Sequence, residues 1–259
     1  MNLRPASDSS GAAPAPQGLI DGHGRRIDYL RVSVTDRCDL RCGYCMPKGF
    51  KGFETPANWL RHDEMARLVG LFAGLGVSKV RLTGGEPLLR RGVADLAGAI
   101  AALPGVADLS VSTNGTQLAR HAGALRAAGV SRLNISLDTL DAAEFTRITG
   151  RDCLDAVLSG LMAARDAGFA PIKLNSVVHA ATPEADVRRL LGYALAQGFI
   201  LRLIEPMPMG DSGRRYRHAD LGALGARLAA DHGLVPALAA QARRATGPVS
   251  YTHLRAHET

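Results

Sequence analysis

The sequence predicts an α/β fold, a partial (β/α)6 barrel of the TIM type, TIM-like in having a parallel sheet wrapped by helices. Three observations predict it. Short runs rich in Val, Leu and Ile alternate with amphipathic helical stretches about every 25–35 residues. The helical stretches repeatedly stop on glycine, at Leu75-Gly76, Ala128-Gly129, Ala167-Gly168 and Gln197-Gly198, the residue that most easily closes a helix. The strand candidates alternate apolar with polar residues, so one sheet face is covered by helices and the other lines a polar interior.

Taken in order, residues 1–24 are rich in Ala, Pro, Ser and Gly without apolar periodicity and read as a disordered arm. Strands are expected at 30–35, 79–83, 109–113, 132–138, 171–178 and 200–205. Helices are expected at 63–74, 92–102, 117–128, 154–167 and 183–197. The partial barrel therefore spans 25–213, and a helix at 221–230 belongs to the beginning of a C-terminal extension over 214–248. Residues 249–259 fit nothing before them and resemble a translated sequencing-adapter tail, so they and the pair His253 and His257 stand outside the fold reasoning. A flat, doubly wound sheet is the competing arrangement.

The polar strand faces carry Arg31, Ser33 and Thr35, then Arg81, Ser110 and Ser112, Asn134, Ser136 and Asp138, Lys173 and Asn175, and Arg202. Arg31, Arg81, Lys173 and Arg202 stand against Asp138 alone. A lumen of that charge suits a polyanion, filled by ligand and water. A sheet face left to solvent would alternate in the same way, but four long cations on six similarly patterned strands favour the cavity.

Composition narrows the class. At 259 residues, 46% hydrophobic and 21% charged, the chain is globular with a full core. No apolar run approaches the roughly 20 residues of a membrane span, and no signal-peptide pattern opens the chain. The formal charge of +7 suggests anionic company, yet aromatics are only 5% and are not interleaved with basic stretches, which argues against nucleic acid. Four cysteines, three of them crowded, do not make a secreted disulfide framework. In a reducing, cytoplasmic setting such a cluster reads as metal ligands.

Those three lie in Cys38-Asp-Leu-Arg-Cys42-Gly-Tyr-Cys45, directly after the first strand. A structural zinc site wants four closed ligands, and no fourth Cys or His lies close by in sequence. A redox pair would need a thioredoxin-like unit, which Cys42 and Cys45 lack. Iron–sulfur ligation with one iron left open is the remaining use, and a zinc-binding module is the rival from another class. Thr83-Gly84-Gly85-Glu86-Pro87 follows the second strand at the barrel end where ligands bind. Its glycines admit close backbone approach, and Glu86 with the local carbonyls could accept from an ammonium.

The Cys-x3-Cys-x2-Cys loop with Tyr44, followed by Gly-Gly-Glu-Pro, resembles the radical S-adenosylmethionine (SAM) superfamily. Asp28-Tyr-Leu-Arg-Val-Ser-Val-Thr-Asp-Arg-Cys38, Tyr-Cys-Met-Pro47, Val-Arg-Leu-Thr-Gly-Gly-Glu-Pro-Leu-Leu-Arg-Arg91, Ser-Thr-Asn-Gly115, Leu-Asn-Ile-Ser-Leu-Asp138 and Arg-Leu-Ile-Glu-Pro-Met-Pro-Met-Gly210 together resemble the GTP 3′,8-cyclases of molybdenum-cofactor biosynthesis. The resemblance implies a 4Fe–4S cluster on Cys38, Cys42 and Cys45. It also implies SAM contacts from Tyr44, Gly85, Ser136 and Met207, and GTP contacts from Arg31, Arg81, Ser112 and Lys173. The implied reaction is that of a lyase. A 5′-deoxyadenosyl radical takes hydrogen from the ribose C3′ of GTP, which then attacks C8 of guanine. A reductant such as flavodoxin or ferredoxin is implied, and a homodimer is allowed. Of Tyr44, backbone or packing rather than the hydroxyl is expected to act. Ser112 stands where the family has threonine, and Pro206 where it has an aromatic.

The family also carries a second 4Fe–4S cluster on a later cysteine triad, whose ligands are absent here, since Cys153 is the only other cysteine. With the adapter-like tail, the expectation is a C-terminally truncated copy that cleaves SAM but cyclises GTP poorly. A peptide-maturing radical SAM enzyme is the alternative; it would not need the cations Arg31, Arg81 and Lys173.

Overall fold

The computed structural model describes residues 18–46, 49–50, 53, 58–207, 214–236 and 254–255. Its centre is one six-stranded sheet of β1 (Tyr29–Ser33), β2 (Lys79–Thr83), β3 (Asp108–Thr113), β4 (Arg132–Ser136), β5 (Lys173–Val177) and β6 (Ile200–Ile204). The spatial order is the chain order, and every neighbouring pair is parallel. A doubly wound sheet reverses its strand order part-way; this one does not, and it is a partial barrel.

Helices α1 (His62–Gly74), α2 (Val93–Ala101), α3 (Leu118–Ala127), α4 (Ala142–Thr149), α5 (Leu154–Asp166) and α6 (Glu184–Ala196) occupy the crossovers, and α7 (Leu221–His232) follows β6. The outer strand face supplies Leu82, Val111, Ile135, Leu174 and Leu203, and the helices answer with Leu96, Ile100, Leu118, Leu125, Val157, Leu161 and Leu190. Each such side chain contributes about 1.5–3 kcal/mol on burial. Helix α5 comes so close to the loop after β3 that a Cβ on Gly160 would lie 2.6 Å from the Gly115 carbonyl oxygen.

The expected strands are all present, with ends shifted by one or two residues, most at 132–138 and 171–178. Elements not expected from the sequence are α4, a 3-10 turn at Pro87–Leu89, and the two-residue strands Val235–Pro236 and Leu254–Arg255. Helix α4 has eight residues, about two turns, shorter than the stretch over which helical periodicity is read. Its ends are nonetheless marked: Asp141 accepts from the Glu144 amide at 2.8 Å, and Gly150 closes the helix at φ 73°.

Residues 18–27, at the border of the expected arm, close a turn against α1, with the Leu19 amide donating to the Leu75 carbonyl at 3.1 Å. Leu254–Arg255 pairs antiparallel with Val235–Pro236, and the rest of 237–259 lies outside the described residues. Among the described residues no helix is long and apolar enough to cross a membrane.

Candidate active site

Parallel register stacks the inward side chains in rows that climb toward the C-terminal strand ends. The lowest row is Arg31, Arg81, Ser110 and Arg132. Above it Ser112, Asn134 and Lys173 stand abreast, and above them Ser136, Asn175 and Arg202. The Arg81 guanidinium donates to the Ser110 hydroxyl at 3.3 Å and lies over the Tyr29 ring at 5.4 Å. Arg132, which the sequence reading had not placed among the lumen charges, is held in a bidentate pair with Asp108 and closes the floor. The side-chain carbonyl oxygens of Asn134 and Asn175 are buried without a hydrogen-bond partner.

The cysteine loop and the Gly-Gly-Glu-Pro loop meet at the upper rim. The Gly85 amide donates to the Thr35 carbonyl and that of Glu86 to the Arg37 carbonyl, both at 2.7 Å. Gly84 sits at φ 144°, and its Cβ would fall 2.2 Å from the Thr35 carbonyl oxygen; a Cβ on Gly85 would fall 2.3 Å from that of Asp36. Only glycine fits either place.

Glu86 does a different job from the one expected. It is wholly buried, and its carboxylate accepts from the Leu88 amide at 3.0 Å, the Thr113 hydroxyl at 2.7 Å and the Asn114 amide at 2.6 Å. With both oxygens engaged, Glu86 ties the loop to the end of β3. Burial pushes its carboxyl up to about 7.

Cys38 and Cys42 are half-buried and Cys45 exposed. Burial raises all three thiols, Cys42 to about 12 with the charge of Asp138 as the next cause. A metal must therefore displace protons to bind them. Among the described residues no three His, Cys, Asp or Glu side chains converge as a single-ion site requires; cluster thiolates each bind a different iron and need not converge.

The loop is braced from two sides. The Arg41 and Gly43 amides donate to the Thr149 and Ile148 carbonyls, the open end of α4, at 2.7 and 3.1 Å. The Tyr44 hydroxyl, expected to be idle, donates to Asp138 at 2.8 Å. Tyr216 stacks edge-on against Tyr44 at 6.3 Å and tilts onto His179 at 4.8 Å, carried there by a strap in which the Ala180 amide donates to the Arg217 carbonyl. The adjoining cavity, lined by Tyr44, Asp138, Glu144, Arg147, His179 and Tyr216, holds about 130 Å³. That is well below the roughly 300 Å³ of an ordinary ligand pocket, so the lumen, not this cavity, is the candidate site.

The residues singled out from the sequence thus fall in layers: Arg31 and Arg81 low, Ser112 and Lys173 in the middle, Ser136 high, and Tyr44, Gly85 and the cysteines at the rim. Met207 stands 66% exposed just past β6, and residues 208–213 beyond it lie outside the described residues.

The sequence profile of the Radical SAM superfamily matches residues 32–194. GTP 3′,8-cyclase 1 of Pseudomonas aeruginosa is 45% identical over 240 residues, covering 92% of this chain and 71% of that protein. The chain belongs to the GTP 3′,8-cyclase family of radical SAM proteins. Other relatives in this family include GTP 3′,8-cyclases of Pseudomonas entomophila, 47% identical over 75% of the chain, and of Mycobacterium marinum, 46% identical over 82%. The chain spans 58% of the length of each of these two. Among solved structures, SuiB of Streptococcus suis bound to S-adenosylmethionine superposes with a TM-score of 0.65 at 20% identity, over 79% of this chain and 46% of that one. Methylornithine synthase superposes at 0.60 and 14% identity, over 77% of this chain and 61% of that one. At such identities the likeness is one of fold.

Proposed function

We propose that this radical SAM protein acts on GTP as its family name states, as a lyase forming the 3′,8-cyclised nucleotide in molybdenum-cofactor biosynthesis. The observation that carries the reading is the layering of the lumen. The cations Arg31, Arg81 and Lys173 lie below, the thiols and glycines lie at the rim, and a nucleotide set between them would reach both. Cys38, Cys42 and Cys45 would hold a 4Fe–4S cluster, which would supply the electron for reductive cleavage of SAM and so the radical that draws hydrogen from C3′ of the ribose.

The chain's own residues bind and orient. Arg31, Arg81 and Lys173 neutralise the triphosphate, and the Ser112 hydroxyl hydrogen-bonds it. Gly85 lets the rim backbone approach the methionine moiety, while Ser136, Tyr44 and Met207 border the adenosine. The partnerless oxygens of Asn134 and Asn175 support the fit, since a nucleotide's N–H and O–H groups would satisfy them. The reading includes a one-electron reductant of the flavodoxin or ferredoxin kind and reaction in the cytoplasm.

Anaerobic reconstitution tests it. Expected are about four irons per chain, loss of iron in Cys42→Ala, formation of 5′-deoxyadenosine on reduction with SAM, and binding of GTP. One tightly bound zinc would overturn the cluster, and a chain that does not bind GTP would overturn the substrate.

A further inference from the structure

Asn114, in the loop after β3, reaches into the cysteine loop. Its side-chain nitrogen donates to Asp39 Oδ1 at 2.7 Å and lies 3.8 Å from Cys38 Sγ, within hydrogen-bond range for sulfur. The amide cannot turn round. Its oxygen accepts from the Thr116 amide at 3.0 Å, so the nitrogen must face the thiol. Asp39 is fixed in turn by the Thr116 hydroxyl at 2.6 Å and by Arg151, 3.8 Å from the carboxylate. The Leu40 amide donates to the same sulfur at 3.4 Å. Cys38 thus receives a backbone and a side-chain N–H, delivered by elements far apart in sequence.

We propose that Asn114 is a positioning residue for the metal centre: its amide N–H, locked by Thr116 and Asp39, donates to the Cys38 thiolate and raises the reduction potential of the cluster bound there. This rests on the reading of Cys38, Cys42 and Cys45 as cluster ligands. A donor to a ligating sulfur stabilises the more negative, reduced state. Asn114 would therefore help the cluster accept the electron that SAM cleavage needs, without touching SAM or GTP.

The test compares reconstituted wild type with Asn114→Leu, Asn114→Ser and Thr116→Val by redox titration followed by EPR. For both Asn114 variants the ratio of reduced to oxidised cluster at a fixed potential should fall about tenfold, the worth of one hydrogen bond to a charged group. Iron content and SAM affinity should be unchanged. Thr116→Val loosens the Asp39 clamp but keeps the backbone N–H that orients Asn114, so its titration should follow wild type. An unshifted Asn114→Ser or Asn114→Leu curve, or an equal shift in Thr116→Val, overturns the proposal. If the Asn114 variants fail to hold a cluster, wild type carrying 15N-asparagine decides: pulsed EPR of the reduced cluster should show a nitrogen coupling, and its absence overturns the proposal. Wild type that takes up no iron would instead strike the reading of the three thiols itself.

Discussion

The hydroxyl of Tyr44 and the carboxylate of Asp138 are hydrogen-bonded at 2.8 Å, joining the cysteine loop to the end of β4. The other Asp138 oxygen accepts the Val177 amide at 2.7 Å, so one side chain pins the loop to two strands. Tyr44→Phe leaves a carboxylate oxygen without its donor and should cost about 1–3 kcal/mol in urea denaturation of the metal-free chain. In the reconstituted protein a chelator should strip iron several-fold faster. Unchanged stability and chelation would show the bond to be idle.

The buried Glu86 makes stability pH-dependent with a definite sign. Its ordinary value is 4.5 and its folded value about 7, so between these the folded chain holds a proton that the unfolded chain releases. Its contribution to stability is therefore full below 4.5, declines as pH rises, and has fallen by about 3 kcal/mol once pH passes 7. Glu86→Gln removes the titration along with an acceptor. It should be less stable at pH 5 yet show a flatter decline to pH 8, read from urea midpoints at both values.

Gly85→Ala would drive a Cβ into the backbone carbonyls of Asp36 and Arg37, which cannot swing aside as a flexible side chain would. A loss of about 3 kcal/mol or more is expected, with the two rim loops forced apart. Gly123→Ala, which meets open space within its helix, is the control and should be neutral or slightly stabilising. Thermal melts of the two variants give the comparison.

Arg81→Ala should weaken GTP binding at least about tenfold by calorimetry, the value of a charge-assisted contact, and make the remaining affinity less sensitive to salt. SAM affinity should hold, because Arg81 lies in the lowest row and Ser136 in the highest. Equal losses for both ligands would contradict the layering.

Most of the sheet was legible because each strand announces itself. Leu30 and Val32 against Arg31 and Ser33, or Leu133 and Ile135 against Asn134 and Ser136, state the period and the inward face at once. The lumen cations followed from that alternation, and the rim followed from the spacing of Cys38, Cys42 and Cys45. Partnerships between distant side chains were not legible. The roles of Glu86, Asp138 and Asn114 depend on which loop ends come to lie beside them, and nothing local in the sequence says so. Tyr44 shows the same limit: its position was marked, but its hydroxyl's partner is a residue of another strand end. Helix α4 escaped because its eight residues are shorter than the window over which a helical period is read, although Asp141 and Gly150 bracket it.

That short helix is a template for the loop before it in the sequence. The Ile148 and Thr149 carbonyls hold the Gly43 and Arg41 amides, so the thiol-bearing loop borrows its shape from a segment synthesised much later. A peptide cut to residues 38–45 would lack both carbonyls, and with them the shape that the folded chain gives the loop.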